Sequence, residues 1–375
     1  MHERLLYFTY LFKTCHLSYL LCIEKENPPF YHSQEQVARF YSNTTNNSVD
    51  QRKIRAIAAR SGIKGRYSAI PDFSADPQDF TFFPKNHALE PLPGVGPRMD
   101  LFKLESLKLS LAAVQRIRNF QNVRERITHL ITVTCTGLSA PGLDIELMRH
   151  LELNPATQRS SVNFMGCNAA VIAMKQANDI CLAHTGALVL VVCTELCTIH
   201  FQKEYSEDYL LSNLIFGDGA AALLIGSRKE EIHPSYPVAE IRSFHSLIIH
   251  EGIREMAWHI TEKGFIMNLT SYVSGMLNSR IGQLFQQNGF EPDETDQWAI
   301  HPGGKRILED FIAELGLKRE QLSESFDVLE QYGNMSSATI LFVLQRVLEK
   351  KQQGRIFAAA FGPGLSIESM VLSHA

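Results

Sequence analysis

The chain has 375 residues, 45% of them hydrophobic and 20% charged, with a formal net charge of −4. This is the composition of a globular protein long enough for one large or two medium domains, and it lacks the global basic field that would draw in nucleic acid. The seven cysteines (15, 22, 135, 167, 181, 193 and 197) contain no C-x-x-C pair. No metal site or disulfide framework is therefore indicated, and reduced thiols in a cytoplasmic enzyme fit best.

The opening stretch MHERLLYFTYLFKTCHLSYLLCI has an apolar run broken by Lys13 and followed by no small-residue cleavage site. It reads as an extension, residues 1–18, leading into a first strand SYLLCI, with no stable membrane insertion. YHSQEQVARFY predicts a helix capped by Ser33. QRKIRAIAARSGIKGRY places six basic residues on a short amphipathic helix and its exit. DLFKLESLKLSLAAVQRIRNF predicts a long helix, HLITVTCTG a buried strand, ALVLVVCTEL another, and FGDGAAALLIG a glycine turn entering a third. SRKEEIHPSYPVAE, polar and containing prolines, marks a junction between an N-terminal half, 19–230, and a C-terminal half, 231–375. Beyond it come a helix around 269–289, the strand QWAIHPGG, helices over KRILEDFIAELG and after YGNMSS, and a strand pair around GRIFAAAFGPGLSIESMVLSHA. Strands alternating with helices in both halves predict α/β layers with buried sheets.

In NFMGCNAAVIAMKQAND, Cys167 follows a glycine and opens a helical pattern carried by Ala170, Met174, Ala177 and Cys181. Unpaired amides at a helix start carry partial positive charge and lower a thiol's pKa, so a strand–Gly-Cys–helix turn suits a thiolate nucleophile. Gly166 removes a side chain that would crowd an approaching substrate. A buried structural cysteine is the alternative. Acyl transfer also needs a proton partner and an oxyanion donor. His301, ending the strand WAIHPGG, and Asn334, just before an apolar helix, stand at element junctions where α/β proteins gather such groups. Either could equally be a capping or core residue, and spacing alone does not bring the three together.

The segments GCNAA, FGDGAAALLIG, WAIHPGG, YGNMSSA and FGPGLSIE resemble, in order, the signatures of the type III polyketide synthases, the chalcone synthase-like family. The likeness runs from NPPFYHSQEQV to ESMVL, and HPGG with GNMSS and FGPG separates it from the ketoacyl-ACP synthase III group. The resemblance implies a thiolase-like fold of two α-β-α-β-α halves working as a homodimer. It implies that Cys167, His301 and Asn334 are catalytic and that Phe216 is the gatekeeper phenylalanine. Lys53 and Arg60 match basic positions that hold coenzyme A phosphates, with Ala56 where a third basic residue often sits. Acyl-CoA and malonyl-CoA are the implied substrates. Loss of carbon dioxide from malonyl-CoA drives a Claisen condensation, so neither a metal nor a nicotinamide or flavin cofactor is called for.

Against plant chalcone synthases, Cys135 and Ala140 replace a threonine and a subunit-crossing methionine, and Cys197 and His200 replace cavity threonines. Trp258 replaces a second cavity phenylalanine, while Glu195 and Ser336 persist. The lost hydroxyl at Cys135 argues against a plant-like hydrogen-bond network for aldol closure. An aliphatic starter giving alkylpyrones or alkylresorcinols is expected. A ketoacyl-ACP synthase III-like single condensation, or a non-catalytic thiolase-fold partner, are the alternatives. Strict alternation along VVCTELCTIHF puts Glu195, Cys197 and Ile199 on one face and His200 on the other. Both Cys197 and His200 can then line one cavity only if the strand ends or bulges near Thr198, and Glu195 is expected to face that cavity.

Overall fold

A computed structural model describes residues 17–374 apart from 230–231, 271, 279 and 289–290. The expected extension therefore lies outside the described residues except for its last two positions, as does the expected boundary between the halves at 230–231. The strands are β1 (Ser18–Glu26), β2 (Phe30–Ser33), β3 (Gly65–Ser68), β4 (His129–Thr134), β5 (Gln158–Asn163), β6 (Leu188–Leu196) and β7 (Asp218–Gly226). They continue with β8 (Ala239–Ile248), β9 (Met256–Thr261), β10 (Gly264–Leu269), β11 (Gln297–Ile300), β12 (Arg355–Gly362) and β13 (Ser366–His374).

Nine of these form one sheet in the order β11-β12-β13-β8-β1-β7-β6-β4-β5. Its connectivity is duplicated. β4 and β6 run parallel, β6 and β7 antiparallel, and β7 and β1 antiparallel; β11, β12, β13 and β8 repeat the same relations. The two sets meet where β1 pairs antiparallel with β8. The corresponding helices are Ala169–Ala183, which precedes β6, and Ser337–Glu349, which precedes β12.

Side-chain alternation explains why the strands read as unbroken apolar runs. In β6, Val189, Val191 and Cys193 pack on the inner core containing both helices, whereas Leu190 and Val192 face the outer helices. In β12, Ile356, Ala358 and Ala360 face inward, and Phe357, Ala359 and Phe361 join an outer core of the C-terminal half. Both faces are thus covered, and each fully buried Leu, Ile or Phe contributes about 1.5–3 kcal/mol. Helix–sheet–helix–sheet–helix is the layering that the thiolase-like resemblance implies.

Local expectations hold in part. Ser33 caps the Gln34–Asn43 helix in a reciprocal capping box with Gln36. The helix expected around 269–289 is two, Tyr272–Asn278 and Ile281–Asn288. The β9–β10 hairpin had no counterpart in the sequence reading, and it supplies one wall of the site.

Candidate active site

The turn that carries Cys167 is held from both halves. After β5 the chain passes through Phe164 and Gly166, both with left-handed φ (59° and 92°), and reaches Cys167 two residues before its helix. A side chain on Gly166 would meet not a substrate but Pro363, whose Cδ lies 1.9 Å from where the Cβ would stand. Glycine is required here because the FGPG loop of the C-terminal half crosses the turn. The same loop accepts Asn168, whose Nδ2 donates to Ser366 Oγ at 2.8 Å.

Asn334 is the counterpart of Cys167 in the duplicated half, again directly after a glycine with positive φ. The backbone N–H of Ser336 donates to its Oδ1 at 2.8 Å, and Thr339 Oγ1 lies 3.3 Å from the same oxygen. That fixes the amide orientation: Nδ2 donates to Gly303 O at 3.3 Å, and the amide stands beside Cys167 with both Nδ2 and Oδ1 3.9 Å from Sγ. Ser336 holds a strained φ of 49°, the cost of turning the chain at this corner. Gly303 is two residues past His301, whose backbone N–H donates to Ala359 O at 2.8 Å as β11 ends. The imidazole is buried with Nδ1 unpartnered, and the absence of a side chain on Gly303 leaves its Cδ2–Nε2 edge uncovered.

Electrostatically, burial dominates both reacting groups. It pushes the Cys167 thiol up to about 12, against the pull of the Ser336 hydroxyl and the Asn334 amide, and it pushes the His301 imidazole down to about 3. The expected lowering of the thiol by a helix start is therefore overturned, because desolvation of the thiolate outweighs the nearby amides. Each group alone stays neutral at neutral pH, so a proton leaving Cys167 has to be received within the site.

A pocket with Cys197, His200, Phe216, Trp258, Phe265 and Met267 in its wall lies beside the thiol. Cys167, Cys197, Phe216 and Met267 touch as one cluster with Trp258 packed on it. β6 ends at Leu196, and Cys197–His200 is a 3₁₀ turn, which is the strand end that lets Cys197 and His200 share a cavity. His200 Nε2 donates to Thr136 O at 2.8 Å and Nδ1 accepts from Phe265 N–H at 3.1 Å, so both nitrogens are spent and burial lowers its pKa to about 3. Its ring stacks on Phe265 at 4.5 Å.

Several expected cavity residues lie elsewhere. Cys135 is behind the Cys167 turn, its sulfur accepting from Gly166 N–H at 3.1 Å, because it ends β4 on the sheet side. Ser336 is buried with its hydroxyl toward the thiol, not in the cavity wall. Glu195 faces away from the cavity: it accepts from Cys135 N–H, Thr136 Oγ1 and Ser337 Oγ at 2.9, 2.9 and 2.6 Å. Its carboxylate is needed to satisfy the end of β4, and its serine partner is Ser337 instead of Ser336. Lys53 and Arg60 are exposed on the Ser48–Arg60 helix, without ion pairs among the described residues. That helix packs on Glu207–Ile215, the helix that delivers Phe216.

Arg66 went unrecognised as a site residue. Counted with the surface charges, it is fully buried, donating to Asn213 O (3.1 Å), Phe216 O (2.8 Å), Leu214 O and Gln34 Oε1. It satisfies the last carbonyls of the Phe216-bearing helix, and burial lowers its pKa to about 9. Among the described residues no group of His, Cys, Asp or Glu could hold a metal ion, and no helix is long and apolar enough to cross a membrane.

Residues 13–229 match the profile of the N-terminal domain of chalcone and stilbene synthases, and residues 240–375 that of the C-terminal domain. The chain is 32% identical over 285 residues to the alpha-pyrone synthesis polyketide synthase-like Pks18 of Mycobacterium tuberculosis, covering 73% of this chain and 72% of that protein. Its fold superposes on PKS-I from the brown alga Ectocarpus siliculosus with a TM-score of 0.88 and 28% identity, over 97% of this chain and all of that one. The C-terminal type III polyketide synthase domain of Steely1 from Dictyostelium gives a TM-score of 0.86 and 27% identity, over 96% of this chain and 99% of that one.

Proposed function

The chain belongs to the chalcone and stilbene synthase family and is a type III polyketide synthase, a transferase acting on acyl-CoA substrates, and from that premise we propose how its own residues carry the reaction. Cys167 attacks the thioester of an acyl-CoA starter, His301 takes the thiol proton, and coenzyme A leaves as the acyl group stays on sulfur. Malonyl-CoA then loses carbon dioxide. His301 and Asn334 donate hydrogen bonds to the thioester oxygen on which the enolate charge develops, and the enolate carbon attacks the Cys167 thioester. The lengthened chain reloads on Cys167 for the next extension. Carbon dioxide is the leaving group that makes the carbanion, so this route asks for no metal or redox cofactor.

The observation that carries this reading is the fixed Asn334 amide, locked by Ser336 N–H and Thr339 within 3.9 Å of the sulfur of Cys167. Lys53 and Arg60 hold the coenzyme A phosphates at the surface beside the Phe216 helix. For the product we favour a lactone or resorcinol from an aliphatic starter. Two facts support the lactone: Ser336 has no hydrogen bond to Glu195, and a relative is named for alpha-pyrone synthesis. A homodimer is proposed on β5, whose outer edge pairs with no strand among the described residues, close to the exposed Met165. Light scattering on the purified chain tests it, and a monomer at micromolar concentration would remove it.

Purified protein incubated with malonyl-CoA and a panel of acyl-CoAs, followed by mass spectrometry, tests the function. Products carrying two or more malonyl-derived units without any carrier protein are expected. Single β-ketoacyl products formed only on an acyl-carrier protein would restore the ketoacyl synthase alternative.

A further inference from the structure

The hydrogen-bond ledger of the chamber wall singles out one side chain. His32, Ser68, Thr198, His200, Gln202 and Asn213 each donate to a protein acceptor, and the Tyr209 hydroxyl, free among the described residues, sits on the helix that delivers Phe216. Two nitrogen donors in the wall are buried without a partner, Arg66 Nε and Trp258 Nε1. Arg66 is pinned through its other nitrogens to the carbonyls of Asn213, Leu214 and Phe216. Trp258 instead packs on the cluster containing Cys167, Cys197, Phe216 and Met267, with ring centroids 6.4 Å from Phe216 and 6.1 Å from His200. An indole N–H is a donor only, and a buried donor left unpaired forfeits the hydrogen bond it made with water.

We propose that Trp258 Nε1–H donates to a ketone oxygen of the growing acyl chain and so determines how many units are added and which carbonyls meet at ring closure. The proposal rests on the polyketide reading above. A poly-β-keto chain presents a carbonyl acceptor at every second carbon, in a chamber whose remaining wall near the thiol is aromatic and thiol. One fixed donor there sets the register of the chain, while the stacked His200–Phe265 pair, with both imidazole nitrogens spent, offers it only a flat face. Trp258 is thus a specificity-determining residue and takes no part in loading Cys167.

Two replacements test this: Trp258→Phe, which keeps an aromatic wall, and benzothienylalanine at position 258, which keeps the indole shape with sulfur in place of N–H. Loading of Cys167 from an acyl-CoA is read by intact mass, and the ratio of longer to shorter products from malonyl-CoA by liquid chromatography–mass spectrometry. Both replacements should still acylate Cys167 and shift the product ratio by about three- to tenfold, the worth of one neutral hydrogen bond. An unchanged ratio with benzothienylalanine, whatever Trp258→Phe does, assigns the effect to shape and overturns the proposal alone. A wild-type protein that loads no acyl group overturns the functional reading and this proposal together.

Discussion

His200 should make the protein acid-sensitive in a way that one substitution isolates. In the fold its imidazole is only 5% exposed, hydrogen-bonded through both nitrogens to backbone groups, stacked on Phe265, and close enough to Arg98 to feel its charge. Burial, with the Arg98 charge behind it, lowers its pKa from 6.5 to about 3, and a proton on Nδ1 would face the N–H of Phe265. In the unfolded chain it titrates near 6.5. Between those values the unfolded chain binds more protons, so acid favours unfolding; the loss begins as pH falls through 6.5 and is complete near 3. At pH 5 it amounts to about 2 kcal/mol, against essentially none at pH 8. His200→Gln keeps a donor for Thr136 O and does not titrate. Urea unfolding of both proteins at pH 8 and pH 5 gives the double difference, in which His301, Asp218 and every other shared group cancel. The wild type's advantage over the variant should shrink by about 2 kcal/mol on going to pH 5. An advantage that is constant, or that grows in acid, would falsify the assignment of a neutral, doubly bonded His200.

Further outcomes follow from the site. His301→Ala and Asn334→Ala should each slow malonyl-CoA decarboxylation by about 10²–10³-fold, the loss of one oxyanion donor, and normal rates of carbon dioxide release would remove them from that role. Lys53→Glu or Arg60→Glu should raise KM for CoA thioesters far more than it lowers kcat, and an unaltered KM would leave these residues as ordinary solvated charges. Cys197→Phe should fill part of the cavity beside the thiol and shorten the accepted starter or the product, with Cys167 still acylated; an identical product profile from the folded variant would show that Cys197 does not bound the chamber.

What could be read in the sequence was local, and what could not depended on distant partners. The Gly-Cys-helix turn at 166–169 and the strand-to-loop exit at His301 are short-range patterns, and the structure has them where expected. Strict alternation in VVCTELCTIHF demanded an end near Thr198, and the 3₁₀ turn at Cys197–His200 supplies it. Glu195 defeated the argument that a polar residue on a strand faces a chamber, since its acceptors are used by the backbone of Cys135 and the hydroxyls of Thr136 and Ser337. Arg66 looked like one more surface charge because the carbonyls that bury it come from residues 213–216, about 150 positions away. The β9–β10 hairpin carried its own signal: alternating apolar residues around Glu262, Lys263 and Gly264, whose φ of 119° suits a tight turn. The role assigned to Gly166 failed for the same reason as that of Arg66, because its neighbour Pro363 lies in the other half of the chain.

The central claim is that Cys167 carries the acyl chain through starter loading and extension. Mass spectrometry of the peptide containing Cys167, after brief mixing with an acyl-CoA and again after adding malonyl-CoA, measures this directly. The account predicts the starter's mass on Cys167, then its replacement by extended masses, with no adduct and no polyketide from Cys167→Ala. Polyketide formation by Cys167→Ala at a rate near wild type, or an adduct that resides on Cys135 or Cys197 instead, would contradict it.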